Sequence, residues 1–313
     1  MSASGVLANF SRTRLIGIDI GSSAIKAIEL EAASDGVTLR RCRAVSVSEK
    51  GMAGELKAFV SSAGFARCSV AVAVASPEVV VKTLQFPPMP KKELESAIRM
   101  EAEQAILNGH TIDEMAFDWQ VWPALDESGP IKGLLAVVPK SLMDERIRLA
   151  RAAGLRPSIV DVEGLALWNA YWMLCGDETS PGKSVLLVNI GAGTTNVVVA
   201  KTPRELVLTR DIQLGAKAIE GDRQQEWVGE VRDSIVYARA AGSLRQLDEV
   251  RLTGGGVSPR AQTLIEVMTG APVTIWNPLE KLNGGAAKDQ DTADAAAGAQ
   301  FAVALGLALR RRR

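Results

Sequence analysis

The pattern of residues 15–30 recurs at residues 185–200, and no other feature constrains the fold as tightly. Each copy is an apolar run, then Asp or Asn followed by Ile and Gly, a patch of small or hydroxyl residues, and a second apolar run. Asp19 answers to Asn189, Gly21 to Gly191, and Ala24-Ile25 to Thr194-Thr195. A run, a tight Gly-bearing turn and a returning run make a β-hairpin. Glycine puts no Cβ in the way, so backbone N–H groups of such a turn can approach a phosphate. Two copies therefore predict two related lobes facing across a cleft, with the phosphates of one nucleotide held between the turns.

The 313 residues leave room for two core-bearing domains, and the apolar fraction of 47% suits a globular chain. Acidic and basic residues balance at 36 each, which leaves no overall field to recruit nucleic acid or anionic lipid. The few aromatic residues do not alternate with basic ones, so a base-stacking surface is unsupported. Cys42, Cys68 and Cys175 are odd in number and scattered, as expected of reduced thiols in the cytoplasm. His110 follows the turn signal Asn108-Gly109 and lacks ligand-like neighbours, so it reads as a loop residue. Met1–Arg14 has no secretion-signal core, and Ala295–Leu309 is too short and too diluted by Ala and Gly to span a bilayer.

Along the chain, the first hairpin occupies about 14–31 and Thr38–Val47 adds a β-like run. Val70–Ala75 reads as a buried strand, Val79–Phe86 as a looser one, and Lys91–Ile106 as an amphipathic helix. Phe117–Trp122 and Leu134–Val138 are further strands. These suggest a small α+β module over 40–132, inserted into a first lobe made of 14–39 and 133–180. Lys140–Ala153 and Glu163–Leu174 read as helices flanking a strand at Ile159–Val162. Pro181-Gly182 marks the link to a second lobe, 184–313, with the second hairpin and a β-run at Glu205–Thr209. A helix at Glu226–Ala241, a strand at Glu249–Leu252, a helix at Pro259–Met268 and a strand near Val273–Trp276 follow. Asn283–Asp294 reads as a loop before a last helix, whose C-terminus Arg310–Arg313 would complement.

The chemistry sits at the turns. Asp19 at the tip of the first hairpin can hold a Mg²⁺-bound water against phosphate, since hard cations prefer oxygen ligands and keep waters. Ser22 and Ser23 can donate to phosphate oxygens and Lys26 can add a point charge. Gly191, Gly193, Thr194 and Thr195 supply the matching turn, with Asn189 in the place of Asp19. A third element is the strand leading through Gly254-Gly255-Gly256 into a helix at Pro259. Backbone there can approach a ribose or phosphate at a helix N-terminus.

Several segments together resemble the actin, sugar-kinase and heat-shock-chaperone superfamily, and within it the PilM family of type IV pilus assembly. They are Ile16-Gly-Ile-Asp-Ile-Gly-Ser-Ser with Lys26, Phe86-Pro-Pro-Met-Pro-Lys-Lys-Glu-Leu-Glu, Phe117-Asp-Trp-Gln-Val and Ala153-Gly-Leu-Arg-Pro with Asp161-Val-Glu. Asn189-Ile-Gly-Ala-Gly-Thr-Thr-Asn, Thr209-Arg-Asp-Ile and Leu252-Thr-Gly-Gly-Gly complete the set, so the likeness runs from about 14 to 309. The resemblance implies a two-lobed actin-like (ribonuclease H-like) α/β fold, with the module inserted in the first lobe. It implies ATP and Mg²⁺ in the cleft, and a cytoplasmic role peripheral to the inner membrane. It also implies, as partner, the tail of a PilN-like bitopic membrane protein, and it leaves self-association open. Glu163 matches the acid that orients an attacking water; a helix N-terminal carboxylate held by the dipole is an equally available reading.

Two departures from the family stand out. Asn189 brings no charge where a second metal-organising Asp is usual, and only Ala216–Trp227 follows Gln213-Leu-Gly, which implies a reduced second lobe. Together they point to an adaptor with weak or vestigial ATP binding and at most a weak ATPase. Its partner groove would lie beside the module, where Val79–Leu84 is one candidate edge for an added strand and an internal strand is the plainer alternative. A small-molecule kinase of the same superfamily is the rival, but no Asp in the 60–130 stretch stands out as its base. A Rossmann site is disfavoured because Asn196 replaces the third Gly and a strand follows where a helix is needed.

Overall fold

The computed structural model describes residues 14–33, 36–48, 51–106, 108–122, 129–175, 182–201, 205–240, 244, 246–282 and 295–310. Met1–Thr13, the link at Pro181, the Asn283–Asp294 loop and the last three arginines lie outside them.

β1 (Arg14–Ile20) and β2 (Ala24–Ala33) form the first hairpin, and β3 (Gly36–Ser46) pairs antiparallel with β2. α1 (Met52–Ser62) leads to β4 (Ser69–Val74), which pairs parallel with β1. β5 (Val80–Phe86), α2 (Lys91–Gln104), β6 (Met115–Trp122) and β7 (Ile131–Pro139) form a separate sheet and its covering helix, in strand order β5-β7-β6. α3 (Lys140–Ala152) returns the chain to β8 (Arg156–Val162), beside β4, and α4 (Glu163–Cys175) follows directly.

The second lobe repeats this plan. β9 (Ser184–Ile190), β10 (Thr195–Lys201) and β11 (Glu205–Ile212) are antiparallel neighbours. α5 (Ala216–Glu220) and α6 (Gln224–Ala240) precede β12 (Glu249–Thr253), α7 (Pro259–Thr269) and β13 (Val273–Ile275). The sheet orders β3-β2-β1-β4-β8 and β11-β10-β9-β12-β13 match strand for strand, so the repeat extends from two hairpins to two whole sheets. The chain ends in α8 (Ala295–Ala299) and α9 (Ala302–Ala308).

Alternation along the hairpin strands explains the layering. Ile16, Ile18 and Ile20 face an outer core with Leu56, Phe59 and Phe65, while Gly17 on the opposite face admits the backbone of α9. In β9, Leu186, Val188 and Ile190 face the second lobe's outer core, and Val185 and Leu187 face the centre. A strand covered on both faces reads as an unbroken apolar run. α4, apolar nearly all round, fills the space between the sheets with Leu167 and Tyr171. A Cβ at Gly306 would overlap the Ala166 carbonyl, so α9 crosses α4 at backbone contact.

Strand pairing redraws the expected bounds. The module's sheet spans Val80–Pro139, not 40–132: β3, α1 and β4 belong to the first lobe, because β2 and β1 capture those strands. α9 likewise packs on β1 and α4, although the sequence pattern assigns 184–313 wholly to the second lobe. The single helix expected over Ala295–Leu309 breaks at Gln300-Phe301. There the Ala299 carbonyl accepts from Gly254 N (3.0 Å) and Thr253 Oγ1 (2.6 Å).

Candidate nucleotide cleft

The two hairpin turns close in the same way. Gly21 N donates to Ala24 O at 3.0 Å, and Gly191 N donates to Thr194 O at 2.8 Å. They also face each other, since a Cβ built on Gly193 would lie 3.7 Å from Ser22 Oγ. The sequence pattern's central expectation, two turns converging on one gap, therefore holds. Ser22 and Ser23 are exposed, and the backbone N–H groups of Ser22, Ser23, Ala192 and Gly193 have no acceptor among the described residues. Such amides fit a phosphate chain, whose oxygens need donors.

Strand register sets what lies behind the turns. Asp19 is opposite Lys26 in the first hairpin, and Asn189 is opposite Asn196 in the second. The first pair is an ion pair, Lys26 Nζ to buried Asp19 Oδ2 at 3.0 Å. Burial weakens the Lys26 ammonium, but Asp19's charge and hydrogen bond outweigh this and its pKa lies above the usual lysine value. The second pair is an amide pair, Asn189 Nδ2 donating to Asn196 Oδ1 at 2.7 Å. The substitution of amide for charge that marks Asn189 thus extends to its cross-strand partner.

Three carboxyl groups converge here. Burial, then the charges of Asp19 and Asp211, push Glu163 up to about 7, against the pull of Arg146 and a hydrogen bond with Asn196. Burial pushes Asp211 up to about 6, although Asn196 Nδ2 (2.8 Å) and Ser76 N (2.9 Å) both donate to it. Arg146 on α3 donates to Ile20 O at 2.8 Å and so braces the first turn. Among the described residues no group of three or more His, Cys, Asp or Glu could hold a metal directly. The donor set suits a Mg²⁺ carried by phosphate and reached by Asp19 through water.

Other expected site residues are placed differently. Thr195 is fully buried; its hydroxyl donates to Leu214 O at 2.7 Å and accepts from Trp227 Nε1 at 3.0 Å. It anchors α6 and does not present that hydroxyl to the cleft. Thr194 is half-buried in the turn. Gly254, at φ 98°, and Gly256 pack the third turn onto the end of β9, where a Cβ at either would meet the Ile190-Gly191 backbone or its neighbours. Gly256 N donates to Ile190 O at 2.8 Å. Gly255 is the exposed member and borders an open pocket of about 600 Å³ with Ala216, Glu220, Ser258 and Arg260. Arg310 pairs with Asp161 (Nη2 to Oδ1, 2.8 Å) instead of only capping a helix.

Sequence reasoning missed Asn196, Asp211 and Arg146, and also Gly215, which lies against the second turn with Ala216 N donating to Gly191 O at 2.9 Å. Asn196 had a signal: it occupies in the second hairpin the place Lys26 holds in the first.

The family model described as "Type IV pilus assembly protein PilM" matches residues 17–228. Among solved structures, a chain of a "PilM-PilN type IV pilus biogenesis complex" superposes with TM-score 0.77 at 24% identity, covering 96% of this chain and 98% of that one. A Bacteroides thetaiotaomicron protein of actin-like ATPase fold and unknown function has TM-score 0.48 at 11% identity, over 87% and 93% of the two chains. The cytoplasmic domain of EpsL, an inner membrane component of the Vibrio cholerae type II secretion system, has TM-score 0.47 at 10% identity, over 87% of each. No curated protein matches the chain.

Proposed function

The chain belongs to the PilM family of type IV pilus assembly proteins, and from that premise we propose that it is an actin-like adaptor of the pilus assembly platform. It works on the cytoplasmic side and is held at the inner membrane by the tail of a PilN-like protein. The solved structure it resembles is itself a PilM–PilN complex, and no helix among the described residues is long and apolar enough to cross a membrane. An extended tail suits the edge of the inserted module. β5 pairs with β7 alone and leaves its other edge without a strand partner among the described residues. Self-association through the same platform is compatible with this role.

ATP binding in the cleft is weak on this reading. The observation that carries it is the approach of Gly193 to Ser22, which brings unpaired amides of both lobes to one point. Phosphates would be held by those amides and by the Ser22 and Ser23 hydroxyls, with Lys26 supplying charge. Mg²⁺, when bound, would polarise the terminal phosphate. Hydrolysis is disfavoured because Asn189 brings no charge and is committed to Asn196, while Lys26 already neutralises Asp19. Glu163, at about 7, is only partly available as the carboxylate that would orient a water. The base would meet an open pocket beside Gly255, with only the short α5 between β11 and α6 to wall it.

Isothermal titration with Mg·ATP tests this. We expect a dissociation constant of about 0.1 mM or weaker, about −5.5 kcal/mol, without steady phosphate release. Low-micromolar binding with sustained turnover would refute the weak-nucleotide adaptor.

A further inference from the structure

One hydrogen-bonded chain leaves the second phosphate turn and ends in the inserted module. Asn189 Nδ2 donates to Asn196 Oδ1 at 2.7 Å, and Asn196 Nδ2 donates to Asp211 Oδ1 at 2.8 Å. Ser76 N, in the first lobe, donates to Asp211 Oδ2 at 2.9 Å. Ser76 Oγ accepts from Glu78 N at 3.2 Å, and Glu78 Oε1 accepts from Asn108 Nδ2 at 3.1 Å, with His110 Nε2 at 3.5 Å. Asn108 and His110 lie on the module's loop before β6; Ser76 and Glu78 form the stalk by which the chain enters the module.

The polarity of this chain is fixed from one end. The backbone N–H of Ser76 can only donate, and ionised Asp211 can only accept. Asn196 must therefore turn its NH₂ toward Asp211 and its carbonyl toward position 189. That carbonyl needs a donor, which Asn189 supplies and an ionised Asp could not. Asn196 is fully buried and Asp211 nearly so, which makes a mismatch at either link costly. The amide at 189 is thus a required link as well as a lost metal-organising charge.

We infer that Asn196 and Asp211 are positioning residues that hold Asn189 in the cleft, and that the Asn189–Asn196–Asp211–Ser76 relay mechanically couples the second phosphate turn to the stalk of the inserted module. Occupancy of the cleft would then be felt at the module through a path whose links between residues are hydrogen bonds. The functional consequence rests on the adaptor reading, but the coupling itself can be tested without nucleotide.

Exchanging the groups at positions 189 and 211 inverts the relay. In the N189D/D211N double variant, Ser76 N would donate to the amide oxygen placed at position 211. The NH₂ of that amide would donate to Asn196, and Asn196 in turn to the carboxylate placed at position 189, with net charge conserved. Hydrogen exchange of the full chain, without nucleotide and at pH 7.5 so that Asp211 is ionised, reads the outcome. N189D alone should speed exchange across residues 76–86 roughly tenfold or more, with α1 and α7 unchanged. D211N alone should stay within about twofold of the parent protein, because Asn196 and Asn189 can both turn and pair every link again. The double variant should return residues 76–86 to within about twofold of the parent protein. A simple charge effect would let N189D/D211L, which removes the same charge but offers no amide, recover as fully as N189D/D211N, and that result overturns the relay. So does a double variant no better than N189D, or an equal acceleration in α1 and α7. Should N189D fail to fold, folding of the double variant supports the relay and its failure overturns it. Absence of ATP binding in a separate titration would remove the adaptor's nucleotide but leave this result standing.

Discussion

Burial at the start of α4 works against the charge of Glu163 near neutral pH. Its pKa, pushed up to about 7 from an ordinary 4.5 by burial and by Asp19 and Asp211, means the folded state binds this proton more tightly than the unfolded chain. The resulting stabilisation is complete below about pH 4.5 and is lost as pH rises through about 7. Replacing Glu163 with Gln removes the titration while keeping size and hydrogen bonding. We expect the Glu163→Gln variant to match the parent protein near pH 4.5 and to exceed it by roughly 1–3 kcal/mol at pH 8.5. Urea midpoints at the two pH values check this; a difference that does not grow with pH would mean Glu163 ionises freely in the fold.

Among the elements, α9 crosses α4 at backbone contact, set by Gly306 against the Ala166 carbonyl and supported by Gly17 on β1. An added methyl at Gly306 meets backbone, which cannot rotate away. The Gly306→Ala variant should lose about 2–3 kcal/mol or more and melt roughly 5–10 °C lower. Gly229 on α6 is the paired control: nothing lies within 4 Å of its built Cβ, so Gly229→Ala should gain a few tenths to about 1 kcal/mol. Equal effects at both sites would place the sensitivity in helix propensity and not in the crossing. The hairpins were legible because apolar runs and a Gly turn are local signals. α1 was not among the expected elements: only Leu56, Phe59 and Val60 are buried in it, and Gly and Ser dilute the rest. The site divides in the same way. Asp19, Ser22 and Gly193 were legible from turn chemistry, whereas Asn196 and Asp211 acquire their roles from cross-strand register, as in Asn196 opposite Asn189 and Asp211 opposite Asn196. Composition carries no trace of such pairing.

The parts of the chain differ in whether they can be removed without unfolding the rest. The pattern in the sequence placed an insert at 40–132, since it could not show that β4 would lie between β1 and β8. Excising that span would take a central strand from the first sheet, together with β3, and should abolish folding. The pairing of Val80 with Val137 gives a different cut. Opposed residues of neighbouring strands lie about 5 Å apart, so replacing 80–137 with two glycines closes the chain without strain. The module's own core of Leu84, Ile98, Leu135 and Val137 leaves with it, and both five-stranded sheets remain whole. Some apolar surface is uncovered, because Val81, Leu134 and Ala136 pack on the central core, so the shortened chain should be less stable than its parent yet still melt cooperatively. If the PilN-like tail seats beside the module, the shortened chain should lose at least about 100-fold in tail-peptide affinity, about 2.8 kcal/mol, by fluorescence anisotropy. Parent-like affinity in a chain that still melts cooperatively would move the partner site onto the lobes themselves.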